Sequence, residues 1–115
     1  KIYTQAVNLF QKALKAEDLQ EPDSALVYNA LGFAYFAQEQ YDLAIRQYKE
    51  ALKIAPDYVT ALNNLGHAYE KKQLTAPALE AYEQVLTIEA DNVTAKRRSG
   101  IASGNPQNRS GSIPQ

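Results

Sequence analysis

The 115-residue sequence contains no cysteine, no methionine and no tryptophan, and it carries one histidine. Without cysteine there is no disulfide framework, no thiolate metal site and no cysteine nucleophile. A zinc site draws on several His or Cys ligands, so one histidine does not supply it. His67 is the one base of the kind a hydrolase triad needs, and it stands alone in a helical stretch. The only cluster of glycines lies near the C-terminus and lacks the lysine of a phosphate-binding loop. No catalytic residue, metal ligand or cofactor is therefore expected. Nowhere does the chain approach the roughly twenty apolar residues that span a bilayer, and no signal peptide is visible. Because position 1 is lysine and not methionine, the chain reads as a processed product or fragment.

What is present favours helix. Alanine, leucine, glutamine, glutamate and tyrosine dominate, while the few prolines and glycines sit at apparent boundaries. The net charge of −1 conceals an asymmetry. Residues 1–92 hold 8 Lys/Arg against 13 Asp/Glu, whereas residues 93–115 hold Lys96, Arg97, Arg98 and Arg109 with no acid. Such a basic end is either a solvated helix end with a loose tail or a surface for acidic protein, anionic lipid or nucleic acid.

Sliding the sequence on itself by 34 residues aligns ten identities: Asn29/Asn63, Leu31/Leu65, Gly32/Gly66, Ala34/Ala68, Tyr35/Tyr69, Ala44/Ala78, Tyr48/Tyr82, Leu52/Leu86, Ile54/Ile88 and Asp57/Asp91. That spacing is the period of a helix–turn–helix solenoid unit. Residues 25–58 read Tyr28-x-x-Leu31-Gly32-x-x-Tyr35, then Ala44-x-x-x-Tyr48-x-x-Ala51, then Pro56. Residues 59–92 keep Leu65-Gly66-x-x-Tyr69 and Ala78-x-x-x-Tyr82, with Leu62, Val85 and Ala90 as departures. Two antiparallel helices in close contact need small residues at the touching points, here Gly32 with Ala44 and Gly66 with Ala78. Large neighbours three and four residues away fill the space beside them.

These motifs resemble the tetratricopeptide-repeat (TPR) signature. The resemblance implies an all-α, right-handed superhelix of antiparallel helix hairpins that binds protein and performs no chemistry. The runs Tyr28–Tyr35 and Leu62–Lys72 are similar to TPR proteins of cyanobacteria and plastids, a group with members that assist photosystem I assembly. That likeness implies an upstream membrane anchor, a photosystem subunit or assembly factor as partner, and a place in the cytoplasm or at the cytoplasmic or stromal face of a membrane.

The pattern predicts helices near 2–16, 24–37, 42–54, 58–71, 76–88 and 92–102. In units, these make a leading half repeat (1–24), repeats 25–58 and 59–92, a capping helix (93–102) and a disordered tail (103–115). Ala6-x-x-x-Phe10-x-x-Ala13-Leu14 marks the first segment as the second half of a repeat. Asp57, Thr75 and either Asp91 or Asn92 are the expected N-caps, with Pro77 tolerated in a first turn. From residue 103 onward, Gly, Asn, Ser, Pro and Gln leave too little apolar surface to offset ordering entropy.

In a stacked solenoid the first helix of each pair lines the concave wall. Thr60, Asn63, Asn64, His67, Glu70 and Lys71 share that side of the fourth helix, opposite Leu62, Leu65 and Tyr69. With Arg97 and Arg98 they form a basic and amide-bearing groove suited to an acidic or amide-rich peptide. On the second helix the equivalent side carries Asn29, Phe33 and Phe36. The two phenylalanines are either covered by the 2–16 helix or an upstream helix, or they form an apolar pocket for a partner side chain. Some TPR domains clamp a partner's terminal carboxylate with Lys, Asn and Arg residues. This chain matches that set at Asn64 and Arg98 and departs from it at Asn29, Phe33 and Thr94, so chaperone-tail binding is not expected. Nucleic acid is not the expected partner. The alternative reading is a peripheral binder of anionic membrane or nucleic acid through residues 96–98 and 109, and a third is self-association through open stacking faces.

Overall fold

A computed structural model of the chain describes residues 2–16 and 21–102, and over these it is all-α. Six helices occur among the described residues: α1 (Ile2–Leu14), α2 (Glu21–Ala37), α3 (Tyr41–Ile54), α4 (Val59–Lys71), α5 (Thr75–Ile88) and α6 (Val93–Ala102). The expected tail, 103–115, lies outside the described residues. Each helix packs chiefly on its neighbours in sequence, and α4 also touches α2 and α6. Succession of this kind is what a solenoid requires.

The helix periodicity explains the packing. Ala44, Tyr48 and Ala51 fall on one face of α3 and are 0–1% exposed. Ala78, Tyr82 and Val85 repeat that face on α5, all at 0%. One core cluster joins Ala44, Ile45 and Tyr48 to Leu65 and Ala68, and the next joins Leu62 to Ala78, Tyr82, Val85 and Ala95. A third holds α1 to α2 through Val7, Leu31 and Ala34, flanked by Phe10, Leu14 and Tyr35.

The glycines work differently from a simple small-on-small contact. A Cβ on Gly32 would stand 2.6 Å from Cε1 of the Tyr48 ring, and one on Gly66 would stand 2.7 Å from Cε1 and Cζ of Tyr82. Each glycine therefore admits a buried tyrosine ring from the second helix of its pair, while Ala44 and Ala78 seal the same interface.

Both hairpin turns use one backbone device. Glu39 has φ of 61° and Gln73, 34 residues on, has φ of 62°. The N–H groups of Glu39 and Gln40 donate to the carbonyls of Phe36 and Tyr35, and those of Gln73 and Leu74 donate to the carbonyls of Glu70 and Tyr69. This is the Schellman closure, which satisfies carbonyls that the helix end leaves free.

Five helix starts differ from expectation, four of them by one residue, and two of the expected N-caps are displaced. α2 begins at Glu21, three residues early, with Pro22 in the first turn where a missing N–H forfeits no helical bond. Tyr58 and not Asp57 is the N-cap of α4, and Leu74 and not Thr75 is that of α5, neither with a side-chain cap bond. At α6 the choice falls on Asn92, whose Oδ1 accepts the Ala95 N–H at 2.9 Å.

Candidate functional site

The first helix of each pair brings Asn29 (α2), Asn63, Asn64 and His67 (α4) and Arg97 and Arg98 (α6) toward one side. Asn63, Asn64, His67, Tyr82, Thr94, Arg97 and Arg98 line an open groove of about 260 Å³. Lys71 is exposed beyond that lining, close enough to His67 to bear on its charge.

Amide hydrogen bonds run from the groove residues Asn63 and Asn64 to neighbouring elements in register with the repeat. Asn64 Nδ2 donates to Asn29 Oδ1 at 3.0 Å, and Asn29 Nδ2 donates to the Tyr58 hydroxyl at 3.4 Å. One repeat on, Asn63 Nδ2 donates to Asn92 Oδ1 at 3.4 Å. Asn63 Oδ1, the counterpart of the filled acceptor on Asn29, is buried without a hydrogen-bond partner.

Charge enters at the C-terminal end. The Tyr82 hydroxyl donates to Glu70 Oε1 at 2.9 Å, and Arg98 Nε lies 3.7 Å from the same oxygen. Burial and this bond to Glu70 both push the Tyr82 phenol far above its ordinary pKa, so it remains a donor. Lys96 lies 3.9 Å from Asp91. Arg97 has no carboxylate within ion-pair distance among the described residues.

His67 sits between these groups. Its ring is 5.0 Å from that of Phe36 and tilted by 40°. Burial first, then the charge of Arg98, lowers its pKa below the ordinary imidazole value. Glu70 opposes that shift and Lys71 adds to it. At neutral pH the imidazole is uncharged, able to donate through one nitrogen and accept through the other.

The phenylalanines part company. Phe36 is half-buried against Tyr41 (5.2 Å, edge-on), His67 and the core of α3 and α4. Phe33 is 54% exposed, so the 2–16 helix does not cover it; α1 packs instead on Leu31, Ala34 and Tyr35. Leu26, 55% exposed, lines a second, apolar hollow with Ala25, Ala55 and Tyr58. Of the groove residues, Tyr82 carries no sequence signal of a site, because its repeat position reads as core. Glu70 falls on the concave side with no role legible in the sequence beyond standing where the preceding repeat has Phe36.

Among the described residues no group of His, Cys, Asp and Glu could hold a metal ion, and no helix is long and apolar enough to cross a membrane.

Comparison with known proteins agrees with the repeat. Family models described as TPR repeat and tetratricopeptide repeat match residues 34–73 and 59–92. A protein named ycf37 from Cyanophora paradoxa is 49% identical over 57 residues, which is 50% of this chain and 33% of that protein. The chloroplastic TPR domain-containing protein PYG7 of Arabidopsis thaliana is 44% identical over 56 residues, 49% of this chain and 19% of its own. The matched stretch thus spans a third or less of either relative. Among solved structures, the first TPR of Spaghetti (RPAP3), bound to the HSP90 peptide SRMEEVD, superposes with a TM-score of 0.80 at 22% identity, covering 89% of this chain and 78% of that one. The Sgt2 TPR domain from Aspergillus fumigatus gives 0.78 at 24%, covering 98% and 75%. With the 34-residue period, the glycine–tyrosine pairs and two repeat models that together run from 34 to 92, the chain belongs to the tetratricopeptide-repeat family.

Proposed function

We propose that this chain is a non-catalytic scaffold whose groove holds an acidic or amide-rich peptide segment of a partner protein. The TPR family is one of protein-interaction scaffolds, and the finer reading rests on one observation. Asn63, Asn64, His67, Thr94, Arg97 and Arg98 converge on a single open groove in which Arg97 has no carboxylate partner among the described residues. Amides and a neutral imidazole offer donors and acceptors to a peptide backbone, and arginine favours carboxylate. At the other end, exposed Leu26 and Phe33 offer an apolar contact to the same ligand. Neither catalytic base nor metal takes part in this reading.

The likeness to ycf37 and chloroplastic PYG7 supports a partner in a photosynthetic membrane complex, met at its cytoplasmic or stromal face. The domain, bearing an affinity tag, is incubated with detergent-solubilised photosynthetic membranes beside Asn64→Ala with Lys71→Glu. Capture of a defined partner by the parent and its loss in the variant, with unchanged helical circular dichroism, is expected. Equal capture by both would sink the groove assignment. The alternative of binding anionic lipid or nucleic acid draws less support, since Lys96 and Arg98 face Asp91 and Glu70 and Arg109 lies outside the described residues.

A further inference from the structure

The amide bonds of the groove repeat with the sequence, and the place where the repetition breaks carries a consequence for the ligand. In the first full repeat, Asn29 is satisfied on both sides: its Nδ2 reaches Tyr58 and its Oδ1 accepts from Asn64. Adding 34 gives Asn63, Asn92 and Arg98. The first half of the pattern is reproduced, Asn63 Nδ2 reaching Asn92 Oδ1. The second half is not. Arg98 stands where a donor to Asn63 Oδ1 belongs, yet its Nε faces Glu70. Glu70 itself stands where the first repeat has Phe36, so acid and base enter at corresponding places together. The orientation of the Asn63 amide is fixed by its neighbour. Asn92 Oδ1 accepts from Ala95, so it faces the NH2 and not the carbonyl of Asn63.

The geometry points to Asn63 Oδ1 as an open rung of this amide ladder, filled in the complex by an N–H of the bound peptide. The inference rests on the groove being the peptide site and specifies what that site reads: an amide donor presented beside an acidic or neutral side chain. Arg98 is the gate. Its side chain is 36% exposed, and its 3.7 Å approach to Glu70 is longer than a hydrogen bond. Asn63 Oδ1 is buried in the free protein, so the ligand reaches it only with movement of the side chains around it. A buried acceptor without a partner carries a desolvation cost, which the incoming donor relieves. The remaining polar orphan among the described residues, Gln38 Nε2, does not line this groove.

The test uses two hexapeptides, acetylated and amidated at their ends, one alternating Glu with Asn and the other alternating Gln with Asn. Binding to the whole chain is followed by amide and side-chain NMR shifts. Arg98→Ala and Arg98→Asn both remove the charge, but only Arg98→Asn restores the donor that Asn64 provides one repeat earlier. The neutral peptide should bind Arg98→Ala at least as well as wild type, and Arg98→Asn at least fivefold more weakly than Arg98→Ala. The Asn63 NH2 resonances should move on binding to wild type. Equal affinity of the two variants for the neutral peptide, or binding that leaves Asn63 unmoved, overturns the inference. If the Glu/Asn peptide alone binds and leaves Asn63 unmoved, the groove reading stands and the open rung falls. If neither peptide binds the wild-type chain, both fall. Thermal melts of the two variants establish that each is folded.

Discussion

At the scale of single residues, two features govern stability in opposite ways from habit. Gly66 lies mid-helix, where alanine is ordinarily preferred by about 1 kcal/mol. Here the added methyl would stand 2.7 Å from a tyrosine ring that is 0% exposed and unable to move aside. Overpacking of that kind costs roughly 1–3 kcal/mol. Gly66→Ala should therefore lower the melting temperature, and pairing it with Tyr82→Leu should recover part of the loss; a rise in the single variant would refute the packing assigned to the ring. His67 sets a pH dependence. Its folded pKa lies below the ordinary value because burial and then Arg98 disfavour the charged ring, against Glu70. The unfolded chain thus binds the proton more readily. The stabilising contribution is complete above the unfolded pKa and is lost as pH falls through the folded one. Being the sole histidine, it gives a single imidazole titration by NMR. That titration should lie below the model-peptide value, and a Tm difference between pH 8 and 5.5 should shrink in His67→Gln.

Turning to elements, the helices were legible from the sequence to within three residues at every end, because the 34-residue period locates both members of each pair. Caps were less legible. Asp57 and Thr75 have the right chemistry for an N-cap, but the turn geometry places Tyr58 and Leu74 there. The amide ladder was visible only as Asn29 aligned with Asn63. Its bonds join residues 29 and 35 positions apart, from a helix to the next first helix or its N-cap, a pairing that periodicity alone does not specify. The paired exchange of Phe36 for Glu70 and Asn64 for Arg98 was the available signal. Nothing in the composition marked Glu39 and Gln73 as left-handed, since glycine is the usual occupant of that turn position. A non-glycine residue there costs on the order of 1 kcal/mol. Gln73→Gly should accordingly stabilise the α4–α5 hairpin by roughly 0.5–1 kcal/mol in urea melts, with Glu39→Gly acting alike on α2–α3. A loss in either variant would mean that side-chain contacts, and not backbone conformation, govern the turn.

For the whole molecule, stability follows from the order in which helices touch. Among the described residues α1 is held by α2 alone, through one buried side chain of its own, Val7 at 8% exposure. Leu62 on α4, by contrast, is 2% exposed and shares a cluster with residues of α3, α5 and α6. In a stack where each unit senses only its neighbours, a lesion at an end frays that end, whereas a lesion in the middle uncouples both sides. Val7→Ala should cost roughly 1–2 kcal/mol and Leu62→Ala roughly 2–5 kcal/mol on the scale of large-to-small core changes. The distinguishing readout is where the loss appears. In native-state hydrogen exchange, Val7→Ala should speed exchange across α1 and leave α4 and α5 at parent rates. Leu62→Ala should speed exchange from α3 through α6 together. Uniform acceleration by Val7→Ala would show a single cooperative unit in place of a stack. The groove proposed to hold the peptide is lined by α4, α6 and Tyr82 of α5, so Val7→Ala should leave contacts there intact and weaken binding only through Leu26 and Phe33 of α2, separating the folding of the first helix from the proposed recognition at the opposite end.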